Sequence, residues 1–351
     1  MLKIKLLKAL NGDSIIISYG EEKTYNILID GGCGKLCYRQ LYRYMEDMKK
    51  EKNIVDLVVL THIDSDHIEG IIRLFSQKEF DFSIIKEMWF NFGEGLQNSL
   101  KIEGINKEIN LYDFDTKISW KQGRSLEERL QDTAIQRRSF LKVGDSYFIG
   151  DARITILSPT IDTLNEFARK EIEESKQSAK IASSYDYQKG ILELNETEFE
   201  GIVSLTNKTS IAFLFELGEI KLLLLGDAEA ATIEDSLSHL GYSRENKLKV
   251  DYCKIAHHAS RHNTSGTLIQ MLDCKNYIIS TKSTTQGRPS KECLSRIICN
   301  STTPVSFYCN YDINASDIFT EDEFSKYGMK FITVDENGID VEENKYDNRL
   351  L

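Results

Sequence analysis

Residues 61–70 constrain this chain more than any other segment, because they place several metal-binding side chains close together. The segment reads Thr-His-Ile-Asp-Ser-Asp-His-Ile-Glu-Gly, and its candidate ligands are His62, Asp64, Asp66 and His67. It follows residues 54–60, a β-branched apolar run that predicts a buried strand. Alternate residues of an extended stretch point to the same side, so this strand end can gather the ligands round a cation. Imidazole and carboxylate together suit Zn²⁺, Mn²⁺ or iron, although a solvated turn capped by Ser65 and Asp66 would use the same residues.

Two further strand ends carry candidate ligands. Asp227 follows the apolar residues 222–225, where its carboxylate could bridge two cations or cap the helix predicted from Ala228 onward. The pair His257-His258 follows residues 248–256, another apolar strand. Histidine pairs at a strand end ligate metal, bind phosphate or have a structural role. The sequence does not determine which of the two histidines is the ligand.

The order of the predicted elements favours one architecture. Residues 4–10, 14–19 and 25–29 predict a β-meander, and residues 36–52 predict an amphipathic helix. The second half repeats this character, with strands at 211–217, 220–225 and 248–256 and a helix at 228–240. We therefore predict an α/β fold of two packed mixed sheets with helices on the outer faces. Residues 1–351 are interpreted as a single domain, with insertions at about 93–142 and 159–203.

Composition limits the class of protein. The formal net charge of −11 argues against a generic polyanion-binding surface, although a local basic groove on an acidic protein remains compatible with a nuclease. The seven cysteines are odd in number and form no CxxC pair, which is typical of free thiols in a reducing cytoplasm. Lysines interrupt the apolar N-terminus, and no apolar run approaches ~20 residues. We expect a soluble, cytoplasmic protein with no membrane segment.

The motifs, taken in order, resemble the metallo-β-lactamase superfamily. That superfamily usually shows His-x-His-x-Asp-His, and here Asp64 stands at the second histidine, a variant that resembles the hydrolase domain of ComEC-type competence proteins and their free-standing bacterial relatives. Further segments resemble that group's motifs in the same order: Asn11-Gly12-Asp13-Ser14, Leu157-Ser158-Pro159, Asn207-Lys208-Thr209-Ser210, Gly226-Asp227-Ala228-Glu229, His257-His258-Ala259-Ser260 and Gly287-Arg288-Pro289. The resemblance covers about residues 1–310 apart from the insertions.

The chain departs from the family pattern at two positions. No histidine lies between His67 and His239, so the superfamily's intermediate histidine ligand has no counterpart. Arg288 stands where the related group has histidine, which alters how a phosphate or leaving group would be bound.

The resemblance implies roles for individual residues. One or two divalent cations, Zn²⁺ or Mn²⁺, would be held by His62, Asp64, Asp66, His67, Asp227 and one or both of His257 and His258. Asp66 would orient the attacking water and accept its proton, and Asp30 would support the ligand loop from behind. The candidate substrate-binding residues are Asn207, Ser260, Arg261 and Arg288.

The implied activity is hydrolysis of a phosphodiester, with DNA or RNA as substrate. The free-standing relatives are similar to components of bacterial defence modules, so an ATPase or another module protein is an expected partner. A small-molecule hydrolase acting on a cyclic nucleotide, phosphocholine ester or lactone remains an alternative. So does a catalytically weak interaction subunit. A β-lactam hydrolase is disfavoured, because Asp64 replaces the expected histidine.

Overall fold

The computed structural model describes residues 1–102, 114–172, 186–282, 287–301 and 304–341. The chain divides into two compact units. The first comprises Met1–Lys142, Thr160–Ile181 and Glu336–Leu351, and the second comprises Val143–Pro159 and Ala182–Asp335. Residues 93–142 belong to the first unit, whereas 159–203 are shared between the two. The interpretation of the whole chain as one domain with two insertions stays a prediction.

The described residues form strands and helices throughout. In chain order the strands are β1 (Leu2–Leu6), β2 (Ile15–Tyr19), β3 (Tyr25–Ile29), β4 (Val55–Val59), β5 (Ile85–Trp89), β6 (Gln136–Arg138), β7 (Ser146–Ile149), β8 (Ala152–Ser158), β9 (Ala212–Leu217), β10 (Ile220–Leu224), β11 (Leu248–Val250), β12 (Tyr252–Lys254), β13 (Leu272–Cys274), β14 (Asn276–Ile279), β15 (Ser306–Cys309), β16 (Lys330–Thr333) and β17 (Ile339–Asp340). The helices are α1 (Lys35–Lys50), α2 (Ser65–Phe75), α3 (Gly93–Ser99), α4 (Phe114–Gln131), α5 (Ile161–Ile172), α6 (Ile191–Glu196), α7 (Leu205–Lys208), α8 (Ala230–His239), α9 (Gly266–Gln270), α10 (Lys291–Asn300) and α11 (Glu321–Tyr327). Short 3-10 turns lie at Phe82–Ile84 and Ala315–Asp317, and Ala256–Ala259 form a turn with left-handed φ values.

The first unit is built on a seven-stranded mixed sheet in the order β17-β1-β2-β3-β4-β5-β6. Strands β17, β1, β2 and β3 pair antiparallel, and β3 to β6 pair parallel. Every residue of β4 is buried, as expected for an apolar strand between two parallel neighbours. Because β4 is interior, the segment that follows its carboxyl end has His62 and His67 in buried positions.

The second unit is built on an eight-stranded mixed sheet in the order β16-β15-β14-β12-β10-β9-β8-β7. Strands β10, β12, β14, β15 and β16 pair parallel with their neighbours, and β7 to β10 pair antiparallel. Neighbouring parallel strands β10 and β12 end at the same edge of the sheet, so Asp227 and His257-His258 are brought together.

The helices have one apolar side. In α1 the buried residues are Cys37, Leu41, Met45 and Met48, a spacing of three or four that forms one helical stripe. In α2 the buried side chains include Ile68, Ile71, Leu74 and Phe75. Burial of a large aliphatic or aromatic side chain contributes about 1.5–3 kcal/mol, so these stripes hold each helix firmly enough to position the residues at its ends.

The predicted α/β class with two large mixed sheets and helices is confirmed. The packing of the two sheets against each other stays a prediction. Some predicted bounds were wrong. The strand predicted at 4–10 ends at Leu6, because Leu10 has a left-handed φ of 58° before the turn that follows. The sequence also predicts a helix at 125–136, and in the structure this helix begins at Phe114 and ends at Gln131. The sequence predicts another helix at 166–180, of which residues 173–180 lie outside the described part of the chain.

The cysteines are all free, and most are buried. Burial raises the pKa of the Cys33 thiol to about 11 and that of Cys37 to about 12, so both thiols are protonated at neutral pH. Among the described helices, none is long and apolar enough to cross a membrane.

Candidate metal centre

The first group of candidate ligands lies at the end of β4 and in the first turn of α2. Asp64 is the N-cap residue of α2, but its side chain makes no capping hydrogen bond to the helix backbone. Asp64 Oδ1 accepts a hydrogen bond from Ser119 Oγ at 3.0 Å, and Asp64 Oδ2 lies 3.5 Å from His62 Nε2. The interpretation of this segment as a capped, solvated turn does not fit, because Asp64 faces a buried imidazole.

Asp30 lies behind the ligand loop and is hydrogen bonded to it. Its fully buried carboxylate accepts three hydrogen bonds, from the Thr61 backbone N–H at 2.7 Å, from Thr61 Oγ1 at 2.8 Å and from His67 Nδ1 at 2.7 Å. Asp30 itself has a left-handed φ of 58°, a conformation that aspartate tolerates better than most residues. One carboxylate therefore orients the loop backbone and one of the candidate ligands.

These hydrogen bonds determine which ring nitrogen of each histidine carries the proton. A carboxylate only accepts, so His67 Nδ1 is the protonated nitrogen. The Thr61 hydroxyl donates its proton to Asp30 and therefore accepts from His62 Nδ1 at 3.0 Å. Both Nε2 atoms thus present a lone pair, with His62 Nε2 at 3.5 Å from Asp64 Oδ2 and His67 Nε2 at 3.9 Å from Asp66 Oδ2.

Close backbone packing fixes the start of α2. The Gly31 N–H donates to the His67 carbonyl at 2.7 Å, and the Gly70 N–H donates to the Gly32 carbonyl at 2.9 Å. A Cβ atom on Gly70 would lie 2.0 Å from the Gly31 carbonyl oxygen, and one on Gly12 would lie 1.8 Å from that of Asp66. Only glycine permits these approaches, which bring the loops at 11–14 and 30–32 against the ligand segment.

Sequence reasoning assigned no role to Asp13. The side chain is 1% exposed, and it offers an oxygen within 4.8 Å of ligand atoms of both Asp30 and His67. The signal was present in the Asn-Gly-Asp-Ser motif at 11–14, which the resemblance covers but which supplied no chemistry by itself. Asp13 is therefore a further oxygen donor beside the first group of candidate ligands.

The second group of candidate ligands belongs to the second unit and surrounds Asp227. Its backbone N–H donates to Ser210 Oγ at 2.9 Å, and the His257 N–H donates to the Gly226 carbonyl at 2.9 Å. The three residues His257, His258 and Ala259 have consecutive left-handed φ values of 49°, 57° and 63°. Such a run is unfavourable for non-glycine residues and persists only where its surroundings enforce it.

Both histidines of this turn face the carboxylate of Asp227. His258 is fully buried and donates from Nδ1 to the Ser280 carbonyl at 2.9 Å, which leaves its Nε2 lone pair 3.8 Å from Asp227 Oδ1. His257 Nε2 lies 3.6 Å from Asp227 Oδ2, and its side chain is 19% exposed. Burial lowers the pKa of His257 to about 4; Asp227 opposes the shift, and Arg288 and His258 add to it. His257 is therefore a neutral imidazole at pH 7.

The four candidate substrate-binding residues occupy different places. Asn207 Nδ2 lies 3.4 Å from both ring nitrogens of His257, and Arg288 is near enough to His257 to lower its pKa. Arg261 lies 4.0 Å from Glu292 and is hydrogen bonded to the ring of His262. Ser260 accepts a hydrogen bond from the His262 N–H at 3.3 Å. The structure thus places Asn207 and Arg288 beside a candidate ligand, whereas Ser260 bonds within its own loop and Arg261 lies near Glu292 of α10.

The donor set fits a divalent cation. Within each unit, histidine Nε2 atoms and carboxylate oxygens approach to 3.5–3.9 Å. Two ligands of one cation at ~2.0–2.2 Å are separated by roughly 3–4 Å. Each imidazole donates from Nδ1 to an oxygen, the arrangement that usually supports metal-bound histidine. His62, Asp64, Asp66 and His67 in the first unit, and Asp227, His257 and His258 in the second, could therefore hold a metal.

Comparison with known proteins gives weak likenesses. No protein-family model and no curated protein matches the chain. Among solved structures, the metallo-β-lactamase fold protein YhfI from Bacillus subtilis is 11% identical, with 96% of this chain and 98% of YhfI covered and a TM-score of 0.41. Zn²⁺-bound PqqB from Methylobacterium extorquens is 11% identical, with 92% and 85% covered and a TM-score of 0.41. A diphosphatase of the PhnP family is 10% identical, with 93% and 82% covered and a TM-score of 0.37. At these levels the function has to be argued from the chain's own residues.

Proposed function

We propose that this protein is a metal-dependent hydrolase that cleaves phosphodiester bonds, with DNA or RNA as its substrate. One observation carries the proposal: four histidines each donate from Nδ1 to a fixed acceptor and direct Nε2 towards an aspartate. The motif resemblance adds hydrolysis of a phosphodiester as the reaction. The predicted nucleic-acid substrate comes from that resemblance alone.

Asp66 has the environment that a proton acceptor needs. Its side chain is 33% exposed, whereas the side chains of His67 and Asp227 are buried. Water therefore reaches the Asp66 carboxylate beside a candidate ligand. A bound divalent cation would supply Lewis-acid chemistry, lowering the pKa of water from ~15.7 towards 7. In this proposal Asp66 orients the attacking water and takes its proton, while Asp30 keeps His67 in place.

The second unit supplies groups suited to an anionic substrate. Arg288 is half-buried near His257, and Asn207 places its amide nitrogen against the same ring. A guanidinium and an amide donor are suited to a phosphoryl oxygen. Because the chain carries a net charge of −11, this local pair would have to hold the phosphate without help from the overall field.

The oxygen-rich first group favours Mn²⁺ over Zn²⁺. Asp13, Asp64 and Asp66 offer carboxylates beside two imidazoles. Carboxylate-rich sites suit Mn²⁺, and imidazole-rich sites suit Zn²⁺. We expect one or two equivalents of metal per chain by elemental analysis.

The experiment that tests the function compares wild-type protein with the double variant Asp66→Ala/His67→Ala. Incubated with single- and double-stranded DNA, with RNA and with Mn²⁺, the wild type is expected to cleave at least one of these polymers. The double variant is expected to lower that rate about 10³-fold or more, since it loses the proton acceptor and a ligand together.

A matched control separates this effect from a general loss of charge. Asp235→Ala/His239→Ala removes the same residue types from exposed positions of α8, and its rate is expected to equal that of wild type. Equal rates for wild type and Asp66→Ala/His67→Ala would refute the catalytic assignment. Hydrolysis of bis(p-nitrophenyl) phosphate without cleavage of any polymer would instead support the small-molecule alternative.

A further inference from the structure

We infer that Asn263 is a positioning residue that holds Asp227 and His257 together and determines which nitrogen of His257 faces the Asp227 carboxylate. The side chain is 1% exposed and lies in the loop between the turn Ala256–Ala259 and α9. The inference rests on the proposed metal centre for its chemical purpose, but the geometry that supports it belongs to the second unit alone.

The hydrogen bonds of Asn263 fix the orientation of its amide. Asn263 Nδ2 lies 3.0 Å from the Asp227 carbonyl oxygen and 3.2 Å from that of Ala228. Carbonyl oxygens only accept, so this end of the amide is the NH₂ group. The opposite end is therefore Oδ1, and it lies 2.9 Å from His257 Nδ1.

The fixed amide in turn fixes the tautomer of His257. An amide oxygen only accepts hydrogen bonds, so His257 Nδ1 carries the proton and Nε2 keeps its lone pair. That lone pair is 3.6 Å from Asp227 Oδ2. Asn207 does not make this selection, because its Nδ2 lies at the same distance, 3.4 Å, from both ring nitrogens.

The backbone hydrogen bonds of the turn do not fix the orientation of the His257 ring. Backbone hydrogen bonds hold both ends of the left-handed run, from the His257 N–H to Gly226 and from the Ser290 N–H to Ala259, both at 2.9 Å. They fix the backbone of the turn but not the ring. His258 is fully buried and is held separately by Ser280, whereas the His257 side chain is 19% exposed. Asn263 therefore supplies a constraint that burial alone does not give.

One side chain thus links two candidate ligands through both of its ends. Its NH₂ group anchors the backbone at Asp227, and its oxygen orients His257. Loss of a group that orients a metal ligand commonly lowers metal affinity about 10- to 100-fold. We expect Asn263 to act in this way and not by touching the substrate.

The first test reads the tautomer without any metal. Protein labelled with ¹⁵N-histidine and stripped of metal is measured by long-range ¹H–¹⁵N correlation, with His257→Gln and His258→Gln used for assignment. In the wild type, His257 is expected to show a protonated Nδ1 and an unprotonated Nε2. In Asn263→Ala a substantial share of His257 is expected to move its proton to Nε2, while His258 keeps the wild-type pattern as an internal control.

The second test separates the two ends of the amide. Asn263→Asp keeps an acceptor for His257 Nδ1 but removes both donors to the carbonyls of Asp227 and Ala228. We expect the His257 proton to stay on Nδ1, while Zn²⁺ affinity, measured by competition with a chelating dye, falls about 10- to 100-fold. Asn246→Ala is the control, since Asn246 is an exposed asparagine that also donates to a carbonyl, that of Gly241.

Each outcome bears on one part of the inference. An unchanged His257 tautomer in Asn263→Ala would overturn the role at His257. Wild-type Zn²⁺ affinity in Asn263→Asp would overturn the role at Asp227. If Asn263→Ala does not fold, Asn263→Ser replaces it with the same expected tautomer change. Because the tautomer is read without metal and without substrate, a protein that shows no hydrolase activity still gives a decisive result.

Discussion

Asp30→Ala is expected to lower the free energy of unfolding by about 3–5 kcal/mol, the usual effect of removing one partner from a buried charged network. The carboxylate is fully buried and accepts hydrogen bonds from two groups of Thr61 and from His67. Its removal leaves three donors without this acceptor, each worth about 1–3 kcal/mol if nothing replaces it. Alanine also tolerates the left-handed φ of 58° less well than aspartate. Urea denaturation followed by circular dichroism measures the change.

Two further variants make this prediction specific. Asp273→Ala removes an aspartate that is exposed on β13, and we expect it to change stability by less than about 0.5 kcal/mol. Asp30→Asn keeps one oxygen acceptor and a residue suited to left-handed φ. The asparagine variant is expected to lose less stability but to lose metal affinity, since an NH₂ group facing His67 Nδ1 would reverse its tautomer. Asp30→Ala and Asp273→Ala of equal stability would show that Asp30 does not organise the loop.

Gly70→Ala is expected to destabilise the protein by more than about 4 kcal/mol, although alanine is the better helix former by about 1 kcal/mol. The added Cβ would lie 2.0 Å from the Gly31 carbonyl oxygen and 2.7 Å from the Gly31 carbonyl carbon. Hydrogen bonds at 2.7 and 2.9 Å join the start of α2 to the loop at 30–32. A shift of the backbone that relieved the clash would therefore break or lengthen them. The clash therefore outweighs the gain in helix propensity.

The control for this substitution is Gly190→Ala. A Cβ atom at Gly190 would meet no heavy atom within 4 Å, and its φ of −74° suits any residue. Its effect should stay within about 1 kcal/mol, mostly from its position at the N-cap of α6. Comparison of melting temperatures measures both variants. A Gly70→Ala protein that melts within a few degrees of Gly190→Ala would show that α2 can shift relative to the loop at 30–32.

The first ligand group was predictable because local signals place it. Residues 54–60 are almost continuously apolar, and the structure has β4 at Val55–Val59 with every residue buried. A ligand motif and a helix then follow within a few residues. The apolar pattern of the sequence predicts a helix from Ile68 onward, and the structure has it begin slightly earlier, at Ser65. Such features depend on neighbours in the chain, which a pattern can reveal.

Features that depend on distant partners were less predictable. Residues 248–256 were predicted as one strand, but the structure has β11 and β12 separated at Asp251, whose carboxylate accepts the Lys221 N–H at 2.8 Å. Before this break β11 pairs with β13, and after it β12 pairs with β10 and β14. Apolar and charged residues alternate from Leu248 to Tyr252, as in one uninterrupted strand, so the pattern contains no sign of the change of sheet.

The candidate site residues differ in the same way: some were predictable from the local sequence, and others depend on distant partners. His62, His67 and Asp227 are recognisable by residue type at strand ends, whereas Asp13 and Asn263 owe their roles to atoms far away in the chain. Asparagine and aspartate in a polar loop have many ordinary uses. Only the folded backbone shows that Asn263 spans Asp227 and His257.

In both units imidazole nitrogens face carboxylates, and this arrangement bears on the lifetime of the protein in a cell. Within each unit these electron-donating groups lie 3.5–3.9 Å from one another, a spacing that suits two ligands of one cation. A cation that binds only the folded chain stabilises it by mass action, by about 2.7 kcal/mol when its free concentration is a hundred times the Kd. Melting temperature should therefore rise with added Mn²⁺ and fall with a chelator. The lifetime of the protein would then follow the supply of metal, so that a shortage removes the chain as well as its activity.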